Sequence, residues 1–417
     1  MTAVPARGQE PHPSGPVHTF DPASPTMAAD RFDQLAGLRS TSPVVFVPAL
    51  QMWAVTGYDA VREVLADPAR FPSGGTYIPT AHLPPAALDV YPPTGPLWQH
   101  SMVSADGAQH RRLRTAMTRA FTASRVRVLE PDVRDDAEAL VHRMLAEGGT
   151  DLVDGFTRPL PSRTVARFFG LPVEDAPKFS GWSDAFVVPQ VPGLPVAAYV
   201  AAAHGFKEFD AYVRAALALN EQELQPGIVR DLVIGAREGT HDLTEDELVG
   251  DIANVLFAGH ETTVSTLTNM FVRLLADRPL WARLATGDVD LPPLVEELLR
   301  LDTAGVGLFR ACPSLTTLAG VEVPSGARLW VAFGAANRDP DAFPEPDDLR
   351  PGRPHTADPL TFGRGTHGCI GTALARTQVH VALQVLPRLA PTMHLTAPAT
   401  EVPNFIIRSS PHLGVAV

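Results

Sequence analysis

One loop near the C-terminal end combines residue types that can hold a metal through sulfur. Residues 362–371 place a single cysteine, Cys369, on a glycine-rich loop that leads into a predicted helix over residues 372–386. Because a thiolate is stabilised by positive potential, the free N–H groups at a helix N-terminus favour it. Glycines let the backbone pass close beneath a flat ligand and adopt turns that a Cβ would forbid. The loop therefore favours a thiolate at Cys369 and allows a flat ligand to approach the backbone closely.

Two other interpretations of this loop are open at this point. Its three glycines also fit a dinucleotide-binding fingerprint, which needs a buried strand before it and an acidic residue about 20 residues after it. The sequence supplies neither, because residues 354–359 begin and end in proline and no acidic residue occurs between Asp358 and Glu401. The remaining alternative is an ordinary structural cysteine in a turn.

A helix is predicted over residues 131–146, and a much longer one over residues 244–276. Thr244 and Glu247 have the spacing of a capping box at its start, and Pro279 follows its end. Such a helix is about 50 Å long at 1.5 Å per residue, so it spans the molecule and contacts many other elements.

The middle of this helix carries an unusually polar cluster, residues 258–263. The cluster does not match a zinc-protease motif, because Val264 stands where the second histidine would be. The Thr262 hydroxyl can bond back to the carbonyl of Ala258, and Gly259 has no side chain to hold the turn. These features predict a local bend of the helix that admits water.

Together, the two stretches resemble the motifs of the cytochrome P-450 family. The loop reads Phe-x-x-Gly-x-His-x-Cys-x-Gly, and the helix cluster reads Ala-Gly-x-Glu-Thr-Thr. A Glu-x-x-Arg pair, Glu297 and Arg300, lies between them and has the spacing of one helix face. The resemblance covers almost all of the chain after its N-terminal tail. Two departures are minor: residues 358–360 replace the usual lead-in, and Gln378 stands where an acid is common.

The resemblance implies a role for each of these residues. Cys369 is expected to be the proximal ligand of the iron of haem b, and its thiolate promotes O–O cleavage. Glu261 and Thr262 are expected to relay protons to dioxygen, the co-substrate. Glu297 and Arg300 form a buried structural ion pair that Arg353 joins.

Further residues follow from the same resemblance. His110, Arg114, Arg310 and His367 match positions that bind the haem propionates, and arginine suits carboxylates because its planar fork binds both oxygens. The expected cofactor-binding set is His110, Arg114, Ala258, Gly259, Arg310, Phe362, Gly363, His367, Cys369 and Gly371. The expected substrate pocket is lined by Ala258, Val306, Leu308, Phe309, Phe405, Ile406 and Ile407.

Composition limits the class of protein. The chain has 417 residues, 45% of them hydrophobic, and a net charge of −12, which argues against nucleic acid as a partner. With no long apolar run and no signal-like segment, we expect a cytoplasmic protein without a membrane anchor. The two cysteines, Cys312 and Cys369, do not form a disulfide framework.

The fold class predicted is mainly α with a small β lobe, the cytochrome P-450 fold with its long central helix over the haem. Residues 1–26 are proline-rich and predict an extended or disordered lead-in, and residues 27–417 predict one domain. Two segments without clear periodicity, 68–106 and 188–195, are predicted to be loops. The resemblance implies that the first closes over the substrate, and the second is either an ordinary connection or a lid at the substrate entrance.

The predicted function is a haem-thiolate monooxygenase that hydroxylates or epoxidises a small to medium, largely apolar molecule of natural-product metabolism. Electrons are expected from a separate ferredoxin and ferredoxin reductase, and the enzyme is expected to be a monomer. Arg111 and Arg112 are most simply a solvated helix face; the alternative is that they form, with Arg364 and Arg376, a docking patch for the electron donor. Two alternatives stay open: the same cofactor used for oxidative coupling, cyclisation or peroxide-driven oxidation, and a non-catalytic haem sensor.

Overall fold

The computed structural model describes residues 15–22, 24, 26–74, 76, 83–92, 100–190, 193–354 and 357–417. Most of the predicted N-terminal lead-in, and parts of the predicted loops at 68–106 and 188–195, lie outside the described residues.

Helices make up most of the described chain. Their bounds are α1 Arg31–Thr41, α2 Tyr58–Ala66, α3 Pro85–Leu88, α4 Gly107–Ala120, α5 Ala123–Ala146, α6 Pro159–Phe169, α7 Ala176–Val187, α8 Val196–Leu217, α9 Ile228–Glu238, α10 Glu245–Ala276, α11 Arg278–Thr286, α12 Leu291–Asp302, α13 Phe333–Ala336 and α14 Thr372–Leu389.

Most of the strands form a small lobe, and the last two pair with each other against α10. Their bounds are β1 Val44–Val47, β2 Met52–Val55, β3 Leu308–Cys312, β4 Thr316–Leu318, β5 Val321–Val323, β6 Ala327–Val331, β7 His394–Leu395 and β8 Val415–Ala416. The main sheet has the order β1-β2-β6-β3, in which β2 and β6 are parallel and the other neighbours are antiparallel. β-Branched and aromatic residues favour these strands, as in Val44, Val45 and Phe46.

The long helix α10 organises the helical part. It packs against α4, α6, α7, α8, α11, α12 and α14, so it is buried on nearly every face. Its N-terminus has the predicted capping box: the Thr244 hydroxyl accepts from the Glu247 amide at 3.2 Å, and the Glu247 carboxylate accepts from the Thr244 amide at 2.9 Å. A helix enclosed in this way provides a fixed platform for the polar cluster in its middle.

Two elements differ from the sequence-based prediction. The helix predicted to begin at Pro131 begins at Ala123, because Thr122 caps it by accepting from the amide of Arg125. Proline is common in the first turn, but here Pro131 lies inside the helix. Helix α9 was not predicted; its burial of Ile228, Val229, Leu232 and Val233 on one face shows the helical period.

The described part of the N-terminal lead-in is extended along the sheet. His18 donates its amide to the Phe46 carbonyl, Phe46 donates its own to the Pro16 carbonyl, and Phe20 is buried against Trp330. The packed structure therefore includes residues on the N-terminal side of the predicted boundary at residue 27. Within the described ranges, none of the helices has the length and hydropathy needed to cross a membrane.

Candidate active site

The cysteine loop is a tight turn held by its own backbone. The Cys369 amide donates to the Phe362 carbonyl at 2.8 Å, and the Gly368 amide donates to the Gly365 carbonyl at 3.0 Å. Gly365 has φ +72°, and a Cβ there would lie 2.7 Å from the Leu65 carbonyl oxygen. Only glycine fits this position without moving the backbone of α2. Gly363 also has a positive φ, +63°.

The thiol of Cys369 is exposed, yet it lies deep in the molecule. Burial raises the pKa of the Cys369 thiol, while the Gly371 amide, the Thr372 hydroxyl and the guanidinium groups of Arg114 and Arg376 oppose that rise. Both observations hold if the sulfur opens onto an interior cleft. α14 begins three residues later, and its positive end favours the thiolate over the thiol.

Two arginines contact the loop. Arg114 on α4 donates to the Gly368 carbonyl at 2.7 Å. Arg376 on α14 lies over the Phe362 ring at 4.8 Å and pairs with Glu296 at 2.5 Å. These contacts fix the sulfur at the start of α14 and place positive charge near it.

A cluster of basic groups beside the loop has one acidic neighbour among the described residues, Asp106. The rings of His110 and His367 are 4.1 Å apart, both nitrogens of His110 lack a hydrogen-bond partner within the described residues, and so does Nε2 of His367. The Arg310 guanidinium is buried and donates only to the Phe309 carbonyl among the bonds of the described chain. Burial lowers the pKa of Arg310 to about 10. Burial also lowers the pKa of His367 to about 4, and repulsion from His110 and Arg310 lowers it further.

Buried donors without acceptors fit a ligand that carries carboxylates, because unpaired buried polar groups are costly. The structure brings His110, His367 and Arg310 together, two of them with unpartnered ring nitrogens, and it places Arg114 one helical turn from His110. These are the four residues assigned from sequence to the haem propionates. The Asp106 carboxylate approaches Nε2 of His367 at 3.6 Å, and it is held by the amides of Ser73 and Gly74.

The polar cluster of α10 adopts the back-bonded geometry. The Thr262 hydroxyl donates to the Ala258 carbonyl at 2.5 Å. Ala258 is exposed and Thr262 is half-buried, although the residues around them on α10 are mostly buried, so this side of the helix borders open space. Gly259 leaves room for the neighbouring Val165. A Cβ at residue 259 would lie 3.4 Å from Cγ2 of Val165.

Glu261 lies on the same turn and is half-buried. Burial raises the pKa of the Glu261 carboxyl, and the nearby Asp184 raises it further, whereas Arg158 and a hydrogen bond from Ser265 oppose the rise. The Ser265 hydroxyl donates to Oε1 of Glu261 at 3.3 Å. A carboxyl with a raised pKa next to a hydroxyl is suited to hold and transfer a proton.

The predicted structural pair lies between α12 and the meandering segment that follows α13. Arg300 donates to both oxygens of Glu297, at 2.9 and 2.7 Å, and Arg353 donates to Glu297 at 3.1 Å. The Arg300 guanidinium also donates to the carbonyls of Asn337, Pro346 and Asp348. The three charged residues therefore join α12 to the chain that leads to the cysteine loop.

The expected pocket residues lie partly on α10, at Ala258, and partly on two chain segments of the β lobe, residues 306–309 and 405–407. The two chain segments that carry them run side by side, since the Val306 amide donates to the Ile406 carbonyl at 2.7 Å and Gly305 pairs with Ile407. Val306 and Phe309 are buried in the core of the β lobe, with Phe405 and Ile406 packed against it. Leu308 is 39% exposed, and Ala258 is exposed on α10.

Several residues of this site were not predicted from sequence. Ser265 stands four residues after Glu261, and Thr372 donates to the Cys369 carbonyl at 2.8 Å from the first turn of α14. Their spacing, four residues after Glu261 and three after Cys369, was a signal in the sequence that could have indicated both contacts. Asp106, Arg158 and Asp184 are far from their partners in sequence, so no local pattern marks them.

Comparison with known proteins agrees with this geometry. The sequence profile described as Cytochrome P450 matches residues 185–286 and 291–405. Cytochrome P450 monooxygenase PikC from Streptomyces venezuelae is 32% identical over 95% of this chain and 93% of its own length. Mycinamicin IV hydroxylase/epoxidase from Micromonospora griseorubida is 33% identical over 93% of this chain and 94% of its own length.

The fold is shared with solved structures. The crystal structure of CalO2 matches with a TM-score of 0.84 at 28% identity, over 96% of this chain and 99% of that chain. The predicted fold class and the resemblance found in the sequence are both confirmed. This chain belongs to the cytochrome P450 family and is an oxidoreductase, a monooxygenase.

Proposed function

We propose that this enzyme hydroxylates or epoxidises a small to medium, largely apolar molecule of natural-product metabolism. The observation that carries the proposal is the acid and alcohol pair on α10, in which Thr262 is back-bonded at 2.5 Å and Glu261 has a raised pKa. A protein that only binds or senses haem has no need of such a pair. The names of PikC and of the mycinamicin hydroxylase/epoxidase support the reaction type.

We infer that the cofactor is haem b. Cys369 would hold its iron, and His110, Arg114, Arg310 and His367 would hold its propionates. The loop residues Phe362, Gly363 and Gly371 would lie beneath the porphyrin, with Ala258 and Gly259 above it. When bound, the haem supplies the redox chemistry that activates dioxygen and splits its O–O bond.

The protein's own part is to supply protons and to exclude water. Reduction of dioxygen with insertion of one oxygen atom consumes two electrons and two protons and releases one water. Thr262 would hold a proton donor at the reacting oxygen, because its hydroxyl can accept from one partner while it donates to the Ala258 carbonyl. Glu261 would refill that position, because its raised pKa favours the protonated carboxyl.

The substrate would lie between α10 and the paired segments around Val306 and Ile406. Ala258 and Leu308 are exposed to open space, so we propose that they contact the substrate directly. Phe309, Phe405, Ile406 and Ile407 would shape the wall behind them. An apolar lining of this kind selects apolar molecules and sets their orientation by shape.

We further propose that electrons come from a ferredoxin and its reductase and that the enzyme acts as a monomer. A cytoplasmic location stays a prediction from the sequence.

Isotopically labelled dioxygen tests the reaction type. Candidate substrates are first selected by their effect on the spin state of the ferric iron, and turnover is then run under labelled dioxygen with a ferredoxin and its reductase. We expect one labelled oxygen atom in the product by mass spectrometry. A product that has lost two hydrogens and gained no label would instead identify coupling or cyclisation.

A further inference from the structure

The C-terminal loop, residues 401–409, carries part of the proposed substrate wall but has little secondary structure of its own. It contains neither a helix nor a regular strand, and its wall residues 405–407 are half-buried. The loop closes on itself where the Val402 amide donates to the Ser409 carbonyl at 2.9 Å. Its place in the molecule must therefore be set by contacts with other elements.

Backbone bonds align the C-terminal loop with the segment that follows α12. The Arg408 amide donates to the Ala304 carbonyl at 2.8 Å, and the Val306 amide donates to the Ile406 carbonyl at 2.7 Å. The Ala304 amide in turn donates to the Thr266 hydroxyl of α10 at 3.2 Å. This short ladder links the wall to α10, which lies on the other side of the proposed substrate.

A buried group of charges closes the ladder at residue 408. Asp302, the last residue of α12, is fully buried and accepts from the Arg408 guanidinium at 3.0 Å. It also accepts from Arg273 of α10 at 2.5 and 2.9 Å. A different nitrogen of Arg408, Nε, donates to Glu401 at 2.7 Å. Arg408 therefore binds the start of its own loop and the end of α12 at the same time.

A second arginine, Arg31 on α1, binds the turn of the C-terminal loop. It is buried and donates to the Asn404 carbonyl and, at 3.3 Å, to Oε2 of Glu401. The Asn404 side chain accepts from the amides of Ile406 and Ile407 at 2.8 and 3.1 Å. Glu401 thus joins the arginine at the turn to the arginine at the end of the loop.

We propose that Arg408 is a positioning residue of the substrate site. Through Asp302 and Glu401 it fixes the C-terminal loop against α12, and so it sets which apolar molecules fit between this loop and α10. The proposal rests on the proposed location of the substrate.

The chemistry of arginine suits this task. Its planar fork binds carboxylates in a defined geometry, and here two nitrogens bind two different carboxylates. A shift of the loop relative to α12 would break at least one of these bonds. The Phe405 ring is also held by Trp330, with ring centres 5.2 Å apart, so loss of the Arg408 bonds should loosen mainly residues 406–408.

Two substitutions separate positioning from stability. Arg408→Met removes both bonds, but Asp302 keeps Arg273 as a partner, and Glu401 keeps Arg31, so the fold should survive. Arg273→Met is the matched control. It removes two bonds to the same buried carboxylate, and none of its bonds in the described part of the chain goes to the C-terminal loop. Both variants should be less stable than the parent, but only Arg408→Met should loosen the loop.

Hydrogen–deuterium exchange of the ferric enzyme without substrate measures the loop directly. Amides of residues 402–409 should exchange about 10-fold faster in Arg408→Met, because local opening removes their protection, and at the parent rate in Arg273→Met. Unchanged exchange in Arg408→Met, or equal acceleration in both variants, would overturn the proposal.

Arg408→Lys provides the test if Arg408→Met does not fold. It keeps the charge, but an ammonium group lacks the fork that bridges two carboxylates. We expect a smaller acceleration of the same amides. Exchange at the parent rate in this variant would show that the bridge is not needed, and the proposal would fail.

Two azoles show whether the loop affects selection of ligands. Imidazole and 4-phenylimidazole both bind ferric haem through nitrogen and shift its absorption spectrum, but only the second presents an apolar ring to the wall. The parent should prefer 4-phenylimidazole. Arg408→Met should reduce that preference by about 3- to 10-fold with little change for imidazole, while Arg273→Met should keep it.

The outcomes keep this proposal apart from the proposed function. A parent that binds neither azole, or that shows no preference for the apolar one, would contradict the proposed haem or substrate site. If the parent prefers 4-phenylimidazole and Arg408→Met keeps the full preference although its loop exchanges faster, only the proposal for Arg408 fails.

Discussion

In our account, the Thr262 hydroxyl holds the proton donor beside the reacting oxygen. Thr262→Ala removes that hydroxyl but leaves the Cys369 loop intact, so the haem content should be unchanged. We expect the product formed per electron pair to fall by about 10-fold or more, with peroxide in its place, since a positioned proton donor contributes roughly 10²–10⁴-fold. Consumption of reductant, product and peroxide are measured together.

The matched control is Thr262→Ser, which keeps the hydroxyl and its bond to the Ala258 carbonyl. Its product yield should stay near that of the parent. Equal yields in the parent and in Thr262→Ala would contradict the relay role.

Asp251 on α10 is a second buried acid, and it affects stability. It is fully buried, one of its oxygens accepts from the Met102 amide at 2.7 Å, and the other has no hydrogen-bond partner among the described residues. Burial raises the pKa of Asp251 from the ordinary value of 3.8 to about 7. The folded state thus binds this proton more tightly than the unfolded state does, and the resulting stabilisation is complete below about pH 3.8 and lost as pH rises to about 7.

Asp251→Asn removes this titration and keeps a carbonyl acceptor for Met102. We expect the free energy of unfolding of the parent, relative to the variant, to decrease between pH 4 and pH 7 by on the order of a few kcal/mol, at about 1.4 kcal/mol per pKa unit. Denaturant unfolding at several pH values measures the difference. A pH-independent difference between the two proteins would contradict the assignment.

At the scale of elements, the charged cluster around Arg300 ties α12 to the segment before the cysteine loop. Arg300→Met removes both bonds to Glu297 and leaves three backbone carbonyls without this donor. We expect the free energy of unfolding to fall by roughly 3–5 kcal/mol, because a buried charge loses its main partner. Haem should be lost at lower denaturant concentration than in the parent.

Arg350→Met is the control for this cluster. Its side chain is 47% exposed and pairs only with exposed acids among the described residues, so the loss should stay below about 1 kcal/mol. Similar losses in the two variants would mean that burial of the Arg300 pair adds nothing.

The elements show what sequence patterns can and cannot determine. Helix α10 was predicted almost to the residue, because Thr244 and Glu247 mark its start and an apolar pattern continues to Ala276. The start of α5 was placed too late, since Pro131 resembles a first-turn proline and outweighed the weaker cap at Thr122. Contacts between distant residues, such as Asp106 with Ser73 or Asp184 with Arg158, depend on the assembled fold and have no local pattern.

At the scale of the whole molecule, the net charge of −12 would repel an acidic electron donor unless a local basic patch guides it. Three of the four candidate docking arginines have acidic neighbours: Arg112 pairs with Glu247, Arg364 lies 3.8 Å from Asp358, and Arg376 pairs with Glu296. Arg111 is exposed and has no ion pair within the described residues. It is therefore the candidate with the most charge available to a donor.

Arg111→Glu should raise the KM for the ferredoxin several-fold and weaken the dependence of the rate on salt, because steering by surface charge is screened at high ionic strength. Lys207→Glu makes the same charge change on the exposed face of α8, far from the cysteine loop in sequence, and should alter neither quantity. Steady-state kinetics at several salt concentrations compare the two variants. Equal effects of both changes would point to net charge and not to docking at α4.

The central claim is that the Cys369 thiolate holds the iron of a haem. The most direct measurement is the absorption spectrum of the reduced protein with carbon monoxide, in the parent, in Cys369→Ala and in Cys312→Ala as the matched control. We predict a thiolate-type spectrum in the parent and in Cys312→Ala, and its loss in Cys369→Ala. A parent protein that takes up no haem, or a Cys369→Ala variant that keeps the thiolate-type spectrum, would contradict the account.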